Sequence, residues 1–197
     1  MFEQHDEFAG FARKAPDPLA LFSLVPDGAS AQKVLLDPRN RCLVSRVPEN
    51  DSVKFKYGLN IGPSIRNRSH STLADIGREG DVAVDGNDIS RSHCSFEIIH
   101  SSAAIVLRDR SPKDSVKILG PAAMPFEINR RPREVMIDPK TKTSISFGGI
   151  NADRWKFDIV WHKLQLEGKD FDAPVLENPV HIRTALDDDE TVRGTDP

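Results

Sequence analysis

The sequence of 197 residues has only two cysteines and no long apolar run. Cys42 and Cys94 do not form a CxxC motif, and Cys94 lies in an alternating pattern typical of a strand, so we expect a buried core thiol there. No apolar stretch approaches the ~20 residues of a membrane-spanning helix, and the N-terminus lacks the basic start and apolar centre of a signal peptide. These absences predict no membrane segment and a reducing compartment, either cytoplasm or nucleus.

An excess of positive charge is also missing. The chain has 27 Lys and Arg against 30 Asp and Glu, a formal net charge of -3 that offers no broad positive field to a nucleic-acid backbone. The one basic cluster, Arg130, Arg131 and Arg133, is interpreted as a solvated turn that offsets nearby acids, with a nucleic-acid contact as the alternative. The composition therefore argues against nucleic acid as a partner.

Motifs for catalysis, cofactors and metals are absent as well. The sequence has no nucleophile elbow, P-loop or dinucleotide fingerprint. Its six histidines form no pair with metal-ligand spacing, and no Cys/His set completes a zinc site. The run Asp187 to Asp189 lacks the alternation and glycine turn of a cation loop, which favours a solvated acidic tail over a cation site. We therefore expect no cofactor, no metal and no enzyme activity.

Alternation of apolar and polar residues is the main pattern of the chain. From Val53 to Ile61 every second residue is apolar, which predicts a strand with one buried and one exposed face. The same period returns in five shorter segments: Val82 and Val84; Cys94, Phe96 and Ile98; Ile105 and Leu107; Val116 and Ile118; and Trp155, Phe157, Ile159 and Trp161. Short strands with Gly, Pro, Asp and Asn between them predict an all-β antiparallel sandwich.

The ends of the chain differ from this central part. Leu19 to Val25 is predicted to be a buried strand, and Ala29 to Leu36 a short helix after the turn at Gly28. We assign residues 1–17 to an N-terminal arm, loosely held, and residues 18–162 to the sandwich. Residues 163–197 are predicted to be an acidic disordered tail, because they cannot bury enough apolar area to offset the entropy of ordering.

Residues 77–93 place cationic and hydroxyl groups in turns beside strands. Arg78 follows Gly77, and Ser90 and Arg91 come shortly before His93. An arginine fork matches two phosphate oxygens at once and a serine hydroxyl can donate to a third, in charge-assisted bonds roughly twice as strong as neutral ones. The pattern indicates a site that holds a phosphate without performing chemistry on it.

Four segments give the chain a family resemblance. In order and spacing it resembles the forkhead-associated (FHA) domain at Gly77-Arg78, Asp81-Val82-Ala83-Val84, Ser90-Arg91-Ser92-His93 and Asp109-Arg110-Ser111. The similarity runs from about Asp75 to Leu119, and flanking strands extend it over residues 18–162. The wider sequence resembles FHA proteins of filamentous fungi. The resemblance implies an eleven-stranded β-sandwich of the SMAD/FHA type that binds phosphothreonine peptides in signalling with the loops at one end.

The resemblance also implies roles for individual residues. Arg78 would grip the phosphate, Ser90 would donate its hydroxyl to it, and Arg91 would lie beside both. Ser111 and Lys113 complete the expected peptide-binding set. Three further residues would have structural roles at the site: Gly77, His93 and Asp109. His93 in particular would brace the binding loops through hydrogen bonds.

One segment departs from the family pattern. Where FHA domains have Asn-Gly-Thr, this chain has Lys113-Asp114-Ser115. Lys113 cannot both donate and accept as an amide does, although it can supply charge to a phosphate. Asp114 tolerates a left-handed backbone, but its carboxylate opposes an anionic ligand. The departure favours an alternative function, docking that does not depend on phosphorylation.

Two further hypotheses follow from particular residues. A hydrolase using His93 and Asp109 is an enzyme alternative, without an accompanying nucleophile or oxyanion turn. In the tail, Asp187 follows Thr184 by three residues, and FHA domains commonly select the third residue after phosphothreonine, some of them preferring Asp. Phosphorylated Thr184 is therefore a candidate ligand for the protein's own site, which would produce self-association. The alternative is an unmodified, solvated tail.

Overall fold

The computed structural model describes residues 6–49, 54–63, 65, 71–102, 104–121, 126, 132–148 and 155–162. The predicted acidic tail, with Thr184, lies outside these residues, as do Arg130 and Arg131. The described part is mostly β-sheet, which confirms the predicted all-β class. None of its helices is long and apolar enough to cross a membrane.

Eleven strands in the described residues form two sheets. The strands are β1 Phe22–Pro26, β2 Val44–Pro48, β3 Phe55–Ile61, β4 Thr72–Gly77, β5 Val82–Ala83, β6 Cys94–Ile99, β7 Ala104–Asp109, β8 Lys117–Leu119, β9 Arg133–Ile137, β10 Thr143–Phe147 and β11 Trp155–Trp161. The first sheet has the order β2-β3-β1-β11-β10-β8, and the second has the order β5-β4-β6-β7-β9. The second sheet is mixed, because β5 runs parallel to β4 where the sequence predicts antiparallel pairing throughout.

Three short helices accompany the sheets. They are α1 Asp6–Ala9, α2 Ala29–Leu36 and a 3-10 helix Pro38–Leu43. The apolar side of α2 is buried through Ala31, Val34 and Leu35, which confirms the helix predicted there. Asp37 precedes the 3-10 helix, and its side chain accepts a hydrogen bond from the backbone N–H of Arg39 and so caps the helix.

The inner faces of the two sheets meet in one apolar core. The rings of Phe22 in β1 and Phe96 in β6 pack edge to face with their centroids 4.9 Å apart, which joins the sheets directly. Fully burying such a side chain stabilises the fold by roughly 1.5–3 kcal/mol. Cys94 is completely buried in this core, as predicted, and burial raises the pKa of its thiol.

Strand β3 corrects one expectation from the alternating pattern. Gly58 and Asn60 lie on the face that the sequence predicts to be exposed, yet both are buried. A Cβ on Gly58 would lie 3.0 Å from the side chain of Val47 in β2, so the neighbouring strand covers this position closely. The amide oxygen of Asn60 accepts hydrogen bonds from the hydroxyls of Ser23 at 3.0 Å and Ser45 at 2.9 Å. Hydrogen bonding to the adjacent strands lets polar residues occupy this buried face.

The described part of the predicted N-terminal arm is attached to the first sheet. Phe8 is buried, with its ring centroid 4.7 Å from that of Tyr57. The backbone N–H of Arg13 donates to the carbonyl oxygen of Val44 at 2.9 Å. The carbonyl oxygen of Arg13 accepts from the N–H of Arg46 at 3.0 Å. These bonds cover the free edge of β2, which would otherwise expose unpaired backbone groups.

Candidate functional site

Three loops meet at one end of the second sheet. We name them loop A, residues 78–81 after β4; loop B, residues 84–93 between β5 and β6; and loop C, residues 110–116 between β7 and β8. The loops are neighbours because Ile76 faces Cys94 and Cys94 faces Asp109 in the strand register. The residues of the predicted site therefore converge from three separate parts of the chain.

Gly77 allows loops A and B to approach each other. A Cβ at this position would lie 2.2 Å from the carbonyl oxygen of Arg91, so any larger residue would push the loops apart. The backbone N–H groups of Arg78 and Glu79 donate to the carbonyl oxygens of Ser90 and Arg91, each at 3.0 Å. The structure thus brings together the three residues at the centre of the predicted phosphate site.

The donor groups of these residues remain accessible. Arg78 is exposed and Ser90 half-buried, and within the described residues neither side chain has a hydrogen-bond or ion-pair partner. The Nε atom of Arg91 lies 3.4 Å from Oε1 of Glu79, in a pair whose side chains are 77% and 66% exposed. Such an exposed pair contributes little and is readily exchanged for a stronger one. The junction of loops A and B therefore offers three donor side chains to an anion.

His93 links loop B to loop C. The ring is buried, and its Nδ1 atom accepts a hydrogen bond from the backbone N–H of Ser90 at 3.2 Å. An accepting nitrogen carries no hydrogen, so we assign the ring proton to Nε2, which donates to the hydroxyl of Ser115 at 2.9 Å. Burial lowers the pKa of His93, with the charge of Asp109 acting in the opposite direction, which favours the neutral ring. These are the contacts that a bracing histidine makes.

The same contacts argue against the hydrolase alternative. A general base takes a proton from the reacting group through a nitrogen lone pair, but the lone pair of His93 is on Nδ1, where it accepts from the backbone N–H of Ser90, and Nε2 carries the ring proton. The carboxylate of Asp109 accepts from the backbone N–H of Ser111 at 2.8 Å and from the guanidinium of Arg133. His93 and Asp109 thus make separate hydrogen bonds and do not form a dyad. As a separate observation, the described part of the chain has no group of three His, Cys, Asp or Glu residues that could hold a metal ion.

Ser111 differs from the other residues of the predicted peptide-binding set. Its side chain is buried, and its hydroxyl accepts a hydrogen bond from the backbone N–H of Ser115 at 2.9 Å. The hydroxyl of Ser115 also lies 3.2 Å away. Asp109 accepts a hydrogen bond from the backbone N–H of Ser111, so both its N–H and its hydroxyl are engaged within this region. The role of Ser111 as a ligand-binding residue stays a prediction. Ser111 shapes loop C from within.

Loop C has a tight turn at the segment where the sequence differs from the pattern of FHA domains. Asp114 has a φ of 50°, the left-handed conformation that Asp was predicted to tolerate at this position. Lys113 is exposed, and its ammonium group has no hydrogen-bond or ion-pair partner in the part of the chain that the structure describes. Lys113 therefore presents a positive charge at the same end of the sandwich as loops A and B.

The sequence pattern predicts Arg133 in a solvated turn, whereas the structure places it in a strand next to loop C. It lies in β9 opposite Asp109, and its guanidinium donates to that carboxylate. Its Nε atom lies 3.3 Å from Oδ1 of Asp114, although without hydrogen-bond geometry. Its two-residue spacing from Val135 and Ile137, both buried, was the available signal that Arg133 faces inward.

Arg39 holds loop A from the side of the 3-10 helix, and no sequence motif marks it. Its Nη1 atom donates to the carbonyl oxygen of Arg78 at 3.1 Å. Its Nη2 atom lies 2.6 Å from a carboxylate oxygen of Asp37 and 2.8 Å from one of Asp85 in loop B. These two carboxylates raise the pKa of the guanidinium, which stays charged. Arg39 therefore connects loops A and B to the helical segment.

Asn40 fixes the same helical segment to β5. Its side chain is completely buried, and its Nδ2 atom donates to the carbonyl oxygens of Val34 and Ala83, both at 2.7 Å. Its Oδ1 atom accepts from the backbone N–H of Ala83 at 2.8 Å. Asn40 thus satisfies both backbone groups of Ala83, as a neighbouring strand would.

The ring of Trp155 packs against loop B. A Cβ on Gly86 would lie 2.5 Å from this ring, and a Cβ on Gly148 would lie 2.8 Å from it. Gly148 has a φ of 61°, so two independent constraints require glycine there. Ile89, just before Ser90, is buried in the same cluster. Loop B is therefore anchored on the core at the residue directly before the predicted phosphate ligand.

No protein-family model matches this chain, and neither a curated protein nor a solved structure was found to be similar to it.

Proposed function

We propose that this protein is an FHA-type domain that binds phosphothreonine-containing segments of partner proteins through loops A, B and C. The observation that carries the proposal is the hydrogen-bonded junction of loops A and B, with Arg78 and Ser90 on adjacent backbone and their donor groups unpaired within the described residues. The eleven strands of the described part and the position of the loops at one sheet end also support it.

The proposed mechanism is recognition in the ground state, with no bond of the ligand made or broken. Arg78 supplies a fork for two phosphate oxygens, and Ser90 donates to a third. Arg91 exchanges its exposed partner Glu79 for the phosphate, and Lys113 adds a point charge from loop C. Hydrogen bonds to charged groups contribute roughly 1.5–3 kcal/mol each, so a few of them suffice for measurable binding after desolvation.

The loops are held in place before any ligand arrives, which supports a binding role. Gly77, His93 and Arg39 each connect two of the neighbouring segments through the contacts described above. A site that is already ordered loses less conformational entropy on binding, so more of the interaction free energy appears as affinity. A cytoplasmic or nuclear location, where kinases act, stays a prediction.

The experiment that tests the proposal is a degenerate phosphothreonine peptide library screened beside its unphosphorylated counterpart. A selected peptide is then titrated by calorimetry into the wild type and Arg78→Ala, which should lose about 2–5 kcal/mol of binding free energy. Lys140→Ala is the matched control. It removes one exposed cation from the β9–β10 turn, which lies at the other sheet end because Ile137 faces Ile105 at the start of β7.

The results of this experiment distinguish phosphothreonine recognition from docking that does not depend on phosphorylation. Binding of phosphorylated peptides alone, lost in Arg78→Ala and kept in Lys140→Ala, supports phosphothreonine recognition. Equal binding of both libraries would instead support docking independent of phosphorylation, the function that Lys113 and Asp114 favour. Unchanged affinity in Arg78→Ala would remove this arginine from the site.

A further inference from the structure

Loop C places a carboxylate beside a site that we propose to bind an anion. Asp114 directly follows Lys113, and its side chain is only partly buried. A carboxylate several ångströms from a phosphate dianion weakens binding roughly three- to tenfold when nothing compensates its charge. The position of the Asp114 carboxylate relative to other charges therefore matters for the affinity of this site.

The guanidinium of Arg133 contacts two carboxylates of this region. It donates to Asp109 at the end of β7, and its Nε atom is 3.3 Å from Oδ1 of Asp114. The same group donates to the carbonyl oxygen of Val116 at 3.3 Å. Arg133 thus contacts Asp109, which directly precedes loop C, and two residues of the loop, Asp114 and Val116.

Arg133 is itself firmly held. Its side chain is only 17% exposed, and its guanidinium lies over the ring of Phe126 at 4.8 Å from the ring centroid. A partly buried guanidinium with several partners is a more fixed charge than an exposed one, and solvent screens it less. The single positive charge of Arg133 lies against both Asp109 and Asp114 and offsets part of their combined negative charge, and Lys113 adds a second positive charge to loop C.

We propose that Arg133 is a positioning residue for loop C, which holds the Asp114 carboxylate and offsets its charge, so that loop C presents Lys113 to the phosphate. The effect on ligand affinity rests on the proposed function. Arg133 and Lys113 together allow this chain to replace the Asn-Gly of the family pattern without presenting net negative charge to the ligand.

The test is a double-mutant cycle of four proteins: wild type, Arg133→Gln, Asp114→Asn and the combination. Asn keeps the tolerance for the left-handed backbone and removes only the charge. A phosphothreonine peptide selected from the library is titrated into each protein at low and moderate salt. We expect Arg133→Gln to weaken binding roughly three- to tenfold when Asp114 is present, and less than twofold in the Asp114→Asn background. The three- to tenfold loss that we expect in the presence of Asp114 should be smaller at moderate salt than at low salt.

Two results would overturn the proposal. An equal loss in both backgrounds would mean that Arg133 only supports the fold through Asp109. A gain of more than threefold in Asp114→Asn alone would mean that Arg133 does not offset the carboxylate of Asp114. Asp114→Asn leaves the pair of Arg133 and Asp109 intact, so its affinity tests the proposal even if Arg133→Gln fails to fold. Arg133→Lys keeps the positive charge and serves as a further check.

The same four proteins distinguish failure of the positioning from failure of the proposed function. Wild-type protein that binds no phosphothreonine peptide would contradict the function and, with it, the effect of Arg133 on affinity. Urea unfolding of the four proteins then measures the coupling between Arg133 and Asp114 without a ligand. Additive effects on unfolding would overturn the positioning of loop C as well, and coupled effects would support it.

Discussion

The backbone N–H of Ser90 donates to Nδ1 of His93 at 3.2 Å, and the opposite nitrogen of the same ring lies 2.9 Å from the hydroxyl of Ser115. One neutral imidazole therefore joins the loop of the proposed phosphate ligand to the loop of Lys113. Protonation of Nδ1 would convert the acceptor into a donor facing an N–H group, which breaks the first bond. The integrity of the site is thus linked to pH.

We expect the protein to lose stability as the pH falls below about 6.5, the ordinary pKa of histidine. Burial lowers the pKa of His93 and also that of His162, whose Nε2 atom lies 2.8 Å from the hydroxyl of Ser23. The unfolded chain then binds protons more tightly than the folded one. The stabilisation is complete above the unfolded pKa and is lost as the pH falls through the folded pKa.

Urea unfolding between pH 5 and 8 measures this dependence, at about 1.4 kcal/mol for each unit by which the two pKa values differ. His93→Gln and His162→Gln should each flatten the slope below pH 6.5. An unchanged slope in His93→Gln would show that this ring does not titrate differently in the folded protein.

Glu79→Gln should strengthen phosphopeptide binding roughly two- to fivefold, because it frees Arg91 and removes a negative charge beside the site. Calorimetry measures the affinity, and Arg91→Ala should reduce the gain to the part that comes from removing the negative charge. Glu49→Gln is the matched control, since it breaks another exposed ion pair, with Lys56, outside the three loops. Weaker binding in Glu79→Gln would mean that Glu79 supports the loops and does not compete with the ligand.

Asn40→Ala should destabilise the protein by about 2–5 kcal/mol, because it leaves the buried N–H and carbonyl groups of Ala83 without their partner and removes one of two donors from the carbonyl oxygen of Val34. Urea unfolding measures the loss. Asn87→Ala, an exposed change in loop B, should cost less than about 0.5 kcal/mol. A loss below about 1 kcal/mol in Asn40→Ala would show that other groups or water replace the amide.

Lys113→Asn should weaken binding and reduce its dependence on salt, because exposed charges are screened beyond about 8–10 Å at moderate ionic strength. Calorimetry at several salt concentrations gives the slope for both proteins. Stronger binding in Lys113→Asn with the same salt slope would identify the lysine as a defect of the site and not a substitute for the amide found in FHA domains.

Protein phosphorylated at Thr184 should bind its own site, either by folding back or by joining two copies. A tail of about 20 residues spans roughly 20–30 Å on average and reaches a site at near-millimolar effective concentration. Light scattering and competition with an external phosphopeptide measure both outcomes, with Arg78→Ala in the phosphorylated form as the control. If phosphorylation produces neither dimers nor competition, the tail is not the ligand. Thr184 lies outside the described residues, so this stays a prediction.

Local pattern was sufficient for part of the fold. The alternation from Val53 to Ile61 predicted β3, and the apolar residues from Trp155 to Trp161 predicted β11, because side chains of a strand alternate between its faces. The helix from Ala29 to Leu36 was also predicted. Four strands were not: Val44–Pro48, Thr72–Gly77, Arg133–Ile137 and Thr143–Phe147. Two of these contain polar residues at buried positions, Ser45 in β2 and Ser146 in β10, which hides their period.

The sequence by itself determined the all-β class, most of the strand periodicity and the residues of loops A, B and C. Only the tertiary structure decided that Ser111 turns inward, that Arg133 contacts Asp109 and Asp114, and that Asn40 pairs with Ala83. Burial of an apolar side chain follows from its own period along the strand. A buried polar group instead depends on a partner that can lie 24 or 43 residues away, and the fold alone brings the two together.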